Sequence, residues 1–583
     1  MIRAIIVLLT ALLTISCNID DVITGQLPPE ITFENNTGVF RVKQGRTIII
    51  APNYQYVEGA QYIWTSNGEV LSTEPTLTYC NDAVGEYFIT LSVSNEAGVE
   101  SVEIRIDVVE LEIPFVSLPN SQNGFTIALG NELTLTPTVK ETSIETEYVW
   151  SINSEVVSHS LSYTFVSETT GEFSATFLAQ NEDGADSVSF VIKVCTIEEL
   201  PVEWKFEQTT YNYSTGRSIK IAPTTLTNYE NGTFGWYLNG VALQEGPLPY
   251  YICSLSEVGE YTILAVLTLE NTANQGSTTL TQEIKVNVCP KEGTFYRPSN
   301  SSSLMTWDKI YEYTPAPGQF INDLKSSGFN GSEYTPADAV EYAERRLKDN
   351  IWISLGGFGG YIVAGFDHSI RNNGGYDLAI SGNSFDGSSE PGIVWVMQDE
   401  NGDGLPNDTW YELKGSETGA AGTIQDYAIT YYRPAASGMA VQWSDNQGNC
   451  GQIDYLGQFH SQEYYYPLWI SEESYTLRGT KLLERNYDAS GNGSLWVQPH
   501  YDWGYVDNNS PIDIVGQEGT NDGSPSLNIF KISNAIDYNG ESIFLDYIDF
   551  VKIQTATNTK SGWLGENSTE VTGIYDNNLR ELQ

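Results

Sequence analysis

The residues of this chain best suited to chemistry form an oxygen-rich segment at 399–408. Asp399, Asn401 and Asp403 put side-chain oxygens at positions 1, 3 and 5, and Gly404 follows at position 6. Ca²⁺ loops begin with this spacing, because the hard cation takes about six to eight oxygens from a tightly curled backbone. The alternative is a polar turn between strands, since Trp410 stands where an EF-hand has its bidentate glutamate. We predict a structural Ca²⁺ held by Asp399, Asn401, Asp403, Leu405 through its carbonyl, and Asp408.

Aromatic side chains are concentrated in two later segments, 464–469 and 500–505. Neighbouring residues of a strand face opposite sides, so consecutive aromatics cannot all enter one core. Tyrosine and tryptophan offer flat apolar area with a polar tip, which suits a large amphipathic ligand. The alternative is that half of the set faces the domain core and the rest packs within loops. The predicted ligand-binding residues are Tyr464, Tyr465, Tyr466, Trp469, His500, Tyr501, Trp503 and Tyr505.

Catalytic signatures are missing from the sequence. The four histidines show no local metal-binding spacing, and no G-x-S-x-G motif for a serine nucleophile occurs. The glycine-rich segment 356–360 precedes a predicted strand and not a helix, so it predicts a tight turn and not a phosphate site. Acidic residues are numerous, but nothing singles out a glycosidase pair. We predict a binding protein without catalytic residues.

Strands must position most of these groups. Residues 291–583 predict a jelly-roll-like β-sandwich with one helix. The helix is predicted to begin after Thr335, with Pro336 and Asp338 in its first turn and Val340, Ala343 and Leu347 along one face. The predicted strands of this region are 361–366, 376–380, 392–397, 427–432, 494–497, 543–545 and 549–555.

A threefold repeat precedes this region. Trp64, Trp150 and Trp236 are spaced 86 residues apart, and a Gly-Glu-aromatic sequence follows each tryptophan. Apolar residues alternate after that sequence, which predicts half-buried antiparallel strands. A tryptophan at the same place in every repeat favours a core residue of an Ig-like sandwich over a ligand platform. The predicted fold is all-β, with three sandwiches at 27–110, 111–199 and 200–290 before the domain at 291–583.

The N-terminus predicts a lipoprotein signal. Arg3 precedes an apolar run at 4–15 that is too short to span a bilayer, and the run ends at Cys17. We predict that Cys17 is lipidated after removal of the signal peptide 1–17, with 18–26 as a linker. An ordinary secretory signal with an incidental cysteine is the alternative. Five cysteines remain, of which Cys253 and Cys289 either pair or serve as small buried apolar residues.

The charge of the chain limits its partners. There are 28 basic and 75 acidic residues, which gives a net charge of −47. Nucleic acid and anionic membrane surfaces would repel such a chain. We predict no nucleic-acid partner and contact with a membrane through the N-terminal lipid alone.

Several sequence segments resemble known protein families. The repeats resemble PKD-like domains of bacterial surface proteins, although the W-x-F-G-D-G motif of those domains is absent. Residues 353–360, 375–378, 390–394, 546–552 and 562–566 resemble Bacteroides cell-surface lipoproteins with PKD-like repeats, some of them vitamin B12-binding proteins of the BtuH type. The acidic residues Asp20 and Asp21, shortly after Cys17, resemble a surface-export signal.

This resemblance implies a lipid-anchored outer-membrane protein that faces the cell exterior. It would bind cobalamin or another corrinoid as a ligand, and deliver it to a TonB-dependent outer-membrane transporter. Aromatic edges and amide groups would suit the apolar corrin face and its ring of amides without a charged anchor. The alternative function is a glycan-binding surface lipoprotein of a polysaccharide-uptake system.

Overall fold

The structure is a computed structural model that describes residues 27–581, apart from 36, 119–120, 122, 141, 230–231, 272–275 and 516–525. The predicted signal peptide, Cys17 and the linker 18–26 lie outside the described residues. The described residues form 45 strands and two α-helices, which confirms the predicted all-β class. No helix in this part of the chain is long and apolar enough to cross a membrane. The chain divides into two compact units. The smaller unit contains the first repeat together with residues 139–149 and 178–187.

The first repeat is a β-sandwich built around Trp64. Its larger sheet has the order β2-β9-β8-β5-β6, and β3 pairs with β7 in a second sheet. Strand β2 runs parallel to the last strand, with Val39 opposite Arg105, while the other pairs are antiparallel. The strands are β1 (Glu30–Thr32), β2 (Val39–Lys43), β3 (Thr47–Ile50), β4 (Asn53–Gln55), β5 (Gln61–Ser66), β6 (Glu69–Ser72), β7 (Leu77–Cys80), β8 (Gly85–Asn95) and β9 (Gly98–Val109).

The second repeat has the same sheet order, β11-β18-β17-β14-β15. Strand β11 again runs parallel to the last strand, with Phe125 opposite Ile192. The strands are β10 (Val116–Ser117), β11 (Phe125–Ala128), β12 (Leu133–Leu135), β13 (Thr138–Val139), β14 (Glu147–Ile152), β15 (Glu155–Ser158), β16 (Tyr163–Phe165), β17 (Gly171–Asn181) and β18 (Gly184–Cys195).

The third repeat follows the same plan, with the sheet order β20-β27-β26-β23-β24 and β20 parallel to β27. Its strands are β19 (Trp204–Lys205), β20 (Thr210–Ser214), β21 (Ile219–Ile221), β22 (Thr225–Leu226), β23 (Thr233–Leu238), β24 (Val241–Gly246), β25 (Tyr251–Cys253), β26 (Gly259–Asn271) and β27 (Gly276–Cys289). Trp64, Trp150 and Trp236 are all 0 % exposed, so the prediction that they are core residues is confirmed.

The C-terminal domain is an antiparallel β-sandwich with an added sheet. A six-stranded sheet (β28-β30-β43-β32-β33-β42) and a four-stranded sheet (β40-β41-β31-β45) share one apolar core, and a second four-stranded sheet (β36-β35-β34-β37) has its own core. The elements up to β36 are β28 (Lys309–Thr314), α1 (Pro336–Lys348), β29 (Ile353–Ser354), β30 (Tyr361–Arg371), β31 (Leu378–Gly382), β32 (Gly392–Met397), β33 (Trp410–Leu413), β34 (Ile424–Tyr432), β35 (Val441–Asp445) and β36 (Cys450–Ile453).

The remaining elements complete the same sheets. They are β37 (Ser474–Lys481), β38 (Tyr487–Asp488), β39 (Trp496–Val497), β40 (Ile514–Val515), β41 (Ser526–Phe530), β42 (Ala535–Ile536), β43 (Tyr547–Thr555), β44 (Glu570–Val571), β45 (Gly573–Asp576) and α2 (Asn577–Arg580), with 3₁₀ helices at Ile532–Asn534 and Gly562–Leu564. The strand predicted at 543–545 is wrong, because these residues leave the bridge at Ser542 as irregular chain before β43.

Helix α1 begins where the sequence predicts. The Thr335 side chain accepts a hydrogen bond from the Asp338 backbone N–H, and Asp338 accepts one in return from the Thr335 N–H. Pro336 has no N–H group, so three N–H groups of the first turn lack intrahelical partners, and the capping box pairs two of them. Ala343 and Leu347 enter the domain core as predicted, and Val340 packs at its edge.

Two further predictions concern glycines and cysteines. A Cβ at Gly360 would collide with the Leu355 carbonyl, so the segment 356–360 is the close-packed turn that was predicted. Cys253 and Cys289 are both buried and unpaired, which confirms the reading as small apolar residues over a disulfide.

Candidate functional site

The segment 399–408 folds as a closed polar turn after β32. Asp399 is buried, and its two carboxylate oxygens accept the backbone N–H groups of Gly402, Asp403 and Gly404 at 2.7–3.1 Å. Asp403 is exposed, and its Oδ2 accepts the side-chain amides of Asn401 and Asn407, both at 2.9 Å. Both carboxylate oxygens of Asp399 and the Oδ2 of Asp403 are thus hydrogen-bonded within the turn itself. This is the arrangement that the alternative polar turn predicts.

Asp408 is the member of this set with spare bonding capacity. It is buried, its Oδ2 accepts the Glu400 N–H at 2.9 Å, and its Oδ1 has no hydrogen-bond partner. Burial raises the pKa of Asp408 to about 8, and burial also raises the pKa of Asp399. Leu405 is exposed at the tip of the turn. Among the described residues, the carboxylates of this segment do not form a cluster of metal-ligand spacing, and Ca²⁺ here stays a prediction.

Three of the four aromatic candidates in the segment 464–469 are buried, namely Tyr465, Tyr466 and Trp469, and their contact with a ligand stays a prediction. The Tyr465 hydroxyl donates to the His460 carbonyl, and the Tyr466 hydroxyl donates to the Glu472 carbonyl, both at 2.9 Å. Trp469 packs in the main core, with its ring 5.6 Å from that of Phe329. Tyr464 is half-buried beside them. Trp469 belongs to the core of the sandwich, and Tyr465 and Tyr466 belong to the core of the added sheet.

The segment 500–505 also forms a small core. Tyr501 and Tyr505 are buried with their rings edge to face at 5.5 Å, and their contact with a ligand stays a prediction. The Tyr501 hydroxyl donates to the Leu483 carbonyl at 2.6 Å, and the Tyr505 hydroxyl accepts the Glu417 N–H at 3.0 Å. His500 is exposed and Trp503 half-buried. The eight predicted ligand residues therefore fall into separate clusters and form no single site.

Trp503 lines a small open cavity of about 260 Å³. Tyr376, Lys414, Lys531 and Asp513 also line it. Ligand pockets for drug-sized molecules measure about 300–1,000 Å³, so this cavity admits one chemical group and does not enclose a macrocycle.

A second group of rings remains in reach of solvent. Phe459 is 52 % exposed and Trp563 is 46 % exposed, and their ring centroids lie 6.0 Å apart. Beside Phe459, the His460 ring stands edge-on to Phe320 at 4.7 Å, and Phe320 contacts Trp352 at 5.2 Å. We call this group, Phe320, Trp352, Phe459, His460 and Trp563, the aromatic surface. Burial lowers the pKa of His460, which favours an uncharged ring there at neutral pH.

The chain places Trp563 through a tight 3₁₀ turn. Gly562 has a φ of 54°, and a Cβ there would collide with the Trp496 indole. Glycine alone fits this position without strain or collision. The sequence does not single out Trp563 as a ligand residue, because it is one aromatic residue in a polar loop. The segment 562–566 that contains it contributes only to the family resemblance.

Buried amides hold the loop that carries Trp563. Asn567 Oδ1 accepts Gln498 Nε2 at 2.8 Å and Asn486 Nδ2 at 3.1 Å, and its Nδ2 donates to Thr557 Oγ1 at 2.8 Å. Asn486 also donates to Ser561 Oγ at 2.9 Å, directly before the 3₁₀ turn. Satisfied buried networks of this kind fix loop geometry, because breaking one bond leaves a desolvated polar group. Exposed rings on such loops form a pre-organised contact surface.

Three acidic side chains meet beneath the same loops. Ligand-capable oxygens of Glu390, Asp507 and Glu570 all lie within 4.8 Å of one another. Burial, followed by the charge of Glu390, raises the pKa of Asp507 to about 7, and burial raises those of Glu390 and Glu570 as well. The sequence gives no local signal for this cluster, because its members come from three distant segments.

Comparisons with known proteins concern mainly the repeats. Residues 28–95 and 114–181 match the PKD-like domain family, which covers the first two repeats. No curated protein shows a significant match to the chain.

Solved structures of tandem β-domains align with low scores. An I-band fragment of titin is 15 % identical, with 45 % of this chain and 100 % of that chain covered and a TM-score of 0.22. Fibronectin(III)-like modules of CbhA from Clostridium thermocellum are 16 % identical, covering 29 % of this chain and 95 % of that one, with a TM-score of 0.18. Three N-terminal domains of the outer capsid protein Hoc of bacteriophage RB49 are 15 % identical, covering 45 % and 98 %, with a TM-score of 0.22.

Proposed function

We propose that the C-terminal domain is a binding module for a large amphipathic ligand, with cobalamin or a related corrinoid as that ligand. The observation that carries this proposal is the exposed ring pair Phe459 and Trp563, with Trp563 on a loop fixed by buried amides. Exposed aromatic rings on a rigid scaffold contribute contact area at low entropic cost.

The chemistry around the aromatic surface suits a corrinoid. A corrin ring presents an apolar face bordered by amides, so it needs apolar contact and uncharged hydrogen-bonding groups. Gln462 lies near the rings in sequence, donates to the Gln319 and Ile321 carbonyls, and keeps a buried Oε1 without a donor. The Lys560 ammonium is paired with the Asp454 carboxylate, so this pair needs no charged ligand.

We further propose that the chain is an outer-membrane lipoprotein anchored through Cys17 and facing the cell exterior. The three repeats would act as a spacer, and the bound corrinoid would pass to a TonB-dependent transporter. The sequence of the N-terminal segment and the resemblance to Bacteroides surface lipoproteins of the BtuH type support this placement. Labelling of the native protein with radioactive palmitate, and loss of label in Cys17→Ala, would test the anchor.

Glycan binding is the second candidate function. The specific observation in its favour is that the exposed rings lie in the open, while the cavity at Trp503 is too small to enclose a corrinoid. Sugar rings stack on open aromatic faces, and a partly open aromatic surface serves both ligand classes.

Calorimetric titration of the purified chain with cyanocobalamin, with and without Ca²⁺, tests the proposal. Saturable heat near one ligand per chain supports the corrinoid, and loss of that heat in Trp563 variants assigns the binding to the aromatic surface. Absence of heat and of any thermal stabilisation refutes it. A glycan array probed with the same preparation then tests the second candidate.

A further inference from the structure

The three clustered carboxylates are brought together by the fold and not by local sequence. Glu390 precedes β32, Asp507 follows the aromatic segment 500–505, and Glu570 begins β44. Asp507 is 0 % exposed and Glu570 is 3 % exposed, while Glu390 is half-buried. Acidic side chains are rarely buried unless a hydrogen-bonded partner or a cation offsets the lost hydration.

Backbone groups hold this cluster in place. Asp507 has a φ of 54°, its Oδ1 accepts the Asn383 and Ser384 N–H groups at 2.7 Å, and its Oδ2 accepts the Glu570 N–H at 2.9 Å. A Cβ at Gly382 would collide with the Asp507 carboxylate, so glycine is required for this approach. The carboxylate of Asp507 is thereby fixed toward the other two.

Glu390 and Glu570 are less fully paired. Glu390 Oε1 accepts Gln498 Nε2 at 3.1 Å and the Ser568 N–H at 3.3 Å. Glu570 Oε1 is buried and accepts no hydrogen bond at all. In the part of the chain that the structure describes, none of the three carboxylates forms an ion pair. An unpaired buried charge costs several kcal/mol, so the cluster has an unmet need for positive charge.

We propose that Glu390, Asp507 and Glu570 bind one divalent cation of the hard class, with Ca²⁺ as the occupant. Oxygen ligands alone line the cluster, which suits Ca²⁺ and disfavours zinc, whose usual ligands are sulfur and nitrogen. Carboxylates can ligate through one or both oxygens, and Ca²⁺ tolerates the resulting irregular geometry better than Mg²⁺ does. The site differs in every residue from the segment 399–408.

This cation would brace the loops beneath the aromatic surface. The Gln498 side chain donates hydrogen bonds to both Glu390 and Asn567. The Asn486 side chain donates to Asn567 and to Ser561. Ser561 directly precedes the 3₁₀ turn that carries Trp563. A cation joining three distant segments restrains all of them at once. We therefore expect its removal to loosen these loops as well as to lower the thermal stability of the chain.

The competing account is that the carboxylates share protons in place of a cation. Burial raises all three pKa values, and the charge of Glu390 raises those of Asp507 and Glu570 further, so partial protonation at neutral pH is a real alternative. The two accounts differ in one measurable respect. A cation site responds to added Ca²⁺, whereas a proton-sharing cluster does not.

The test uses the full chain after treatment with EDTA and exchange into metal-free buffer at pH 7. Addition of CaCl₂ is expected to raise the melting temperature by several degrees, and metal analysis after gel filtration is expected to find bound Ca²⁺. Glu570→Gln removes a ligand charge with little change in shape and is expected to weaken Ca²⁺ binding about tenfold or more. Glu390→Gln, at a half-buried position, provides a second variant if Glu570→Gln does not fold.

Asp403→Asn is the matched control, because it removes an acidic group from the segment 399–408 and leaves the cluster intact. Retention of the Ca²⁺ response in Asp403→Asn and its loss in Glu570→Gln or Glu390→Gln supports the proposal. A wild-type chain with no Ca²⁺ response overturns it. So does a response that Asp403→Asn abolishes and both glutamine variants keep. Cobalamin binding is measured separately, so either proposal can fail alone.

Discussion

Arg217 and Glu400 form a buried ion pair, with Nη1 of the arginine 3.0 Å from Oε1 of the glutamate. Arg217 follows β20 in the third repeat, and Glu400 belongs to the turn 399–408 of the C-terminal domain. The other guanidinium nitrogen, Nη2, lies 2.9 Å from Glu292 Oε2, and the Ser214 N–H also donates to Glu400. The acidic turn therefore serves as a joint between the third repeat and the C-terminal domain.

We predict that Arg217→Met destabilises the chain by about 3–5 kcal/mol, because it leaves the buried carboxylate of Glu400 and the half-buried carboxylate of Glu292 without a counter-charge. Urea unfolding followed by tryptophan fluorescence measures the change. Lys205→Met is the control, since the Lys205–Glu203 pair has a similar distance of 3.1 Å but is exposed. Exposed pairs contribute about 0–1 kcal/mol. Equal effects of the two substitutions would contradict the assigned joint.

Trp563→Ala is predicted to weaken cobalamin binding about tenfold or more, because an exposed aromatic anchor contributes roughly 1–3 kcal/mol to binding. Its melting temperature should change little, since the ring is half-exposed. Calorimetry with cyanocobalamin measures the affinity. Phe544→Ala is the control, because Phe544 is an exposed ring on another loop. Unchanged affinity in Trp563→Ala together with Phe459→Ala would remove the aromatic surface from the proposal.

The pH dependence of stability is predicted to depend on Glu412. Burial raises its pKa from 4.5 to about 7, while the Thr480 hydroxyl at 2.5 Å opposes that shift. A raised folded-state pKa gives stability that is complete below pH 4.5 and is lost as the pH rises through 7. At about 1.4 kcal/mol per pKa unit, wild type should lose about 3 kcal/mol relative to Glu412→Gln between pH 4.5 and pH 8.

Unfolding free energies from urea titrations at each pH measure this difference. Thr480→Val should steepen the loss, because it removes the hydrogen bond that favours the ionised carboxylate. Parallel curves for wild type and Glu412→Gln would show that Glu412 does not titrate in this window.

Trp64→Ala is predicted to destabilise the first repeat by about 3–5 kcal/mol through the cavity left in its core. Cobalamin binding should be unaffected, because the predicted ligand surface belongs to another domain. Calorimetric unfolding and titration measure the two quantities separately. Ile49→Ala provides the control, since Ile49 is 68 % exposed in the same repeat and should shift stability by about 0.5 kcal/mol or less. A loss of binding in Trp64→Ala would reopen the ligand-platform interpretation.

The repeats and the helix could be predicted because their signals are local or periodic. Trp64 and its equivalents recur at constant spacing. Thr335 and Asp338 form a capping-box sequence within four residues, which predicts the start of α1. The core position of each tryptophan then follows from its place in an alternating strand.

The ligand residues could not be predicted in the same way. The argument that consecutive aromatics cannot all face one core is sound, but the segment 464–469 lies between two cores. Tyr465 and Tyr466 enter the core of the added sheet, and Trp469 enters the core of the sandwich. Conversely, Trp563 joins the aromatic surface only through contacts between distant segments. The same is true of Asp507 and Glu570 in the carboxylate cluster.

The parallel pairing of β2 with β9, of β11 with β18 and of β20 with β27 has a mechanical consequence. In each repeat a strand near the start of the domain lies alongside the strand that leaves it. Tension applied to the two ends therefore pulls these partners past each other and loads their hydrogen bonds together, in shear. An antiparallel hairpin pulled from its open ends would instead unzip one bond at a time. The parallel pair of each repeat thus resists stretching along the chain more strongly than such a hairpin would.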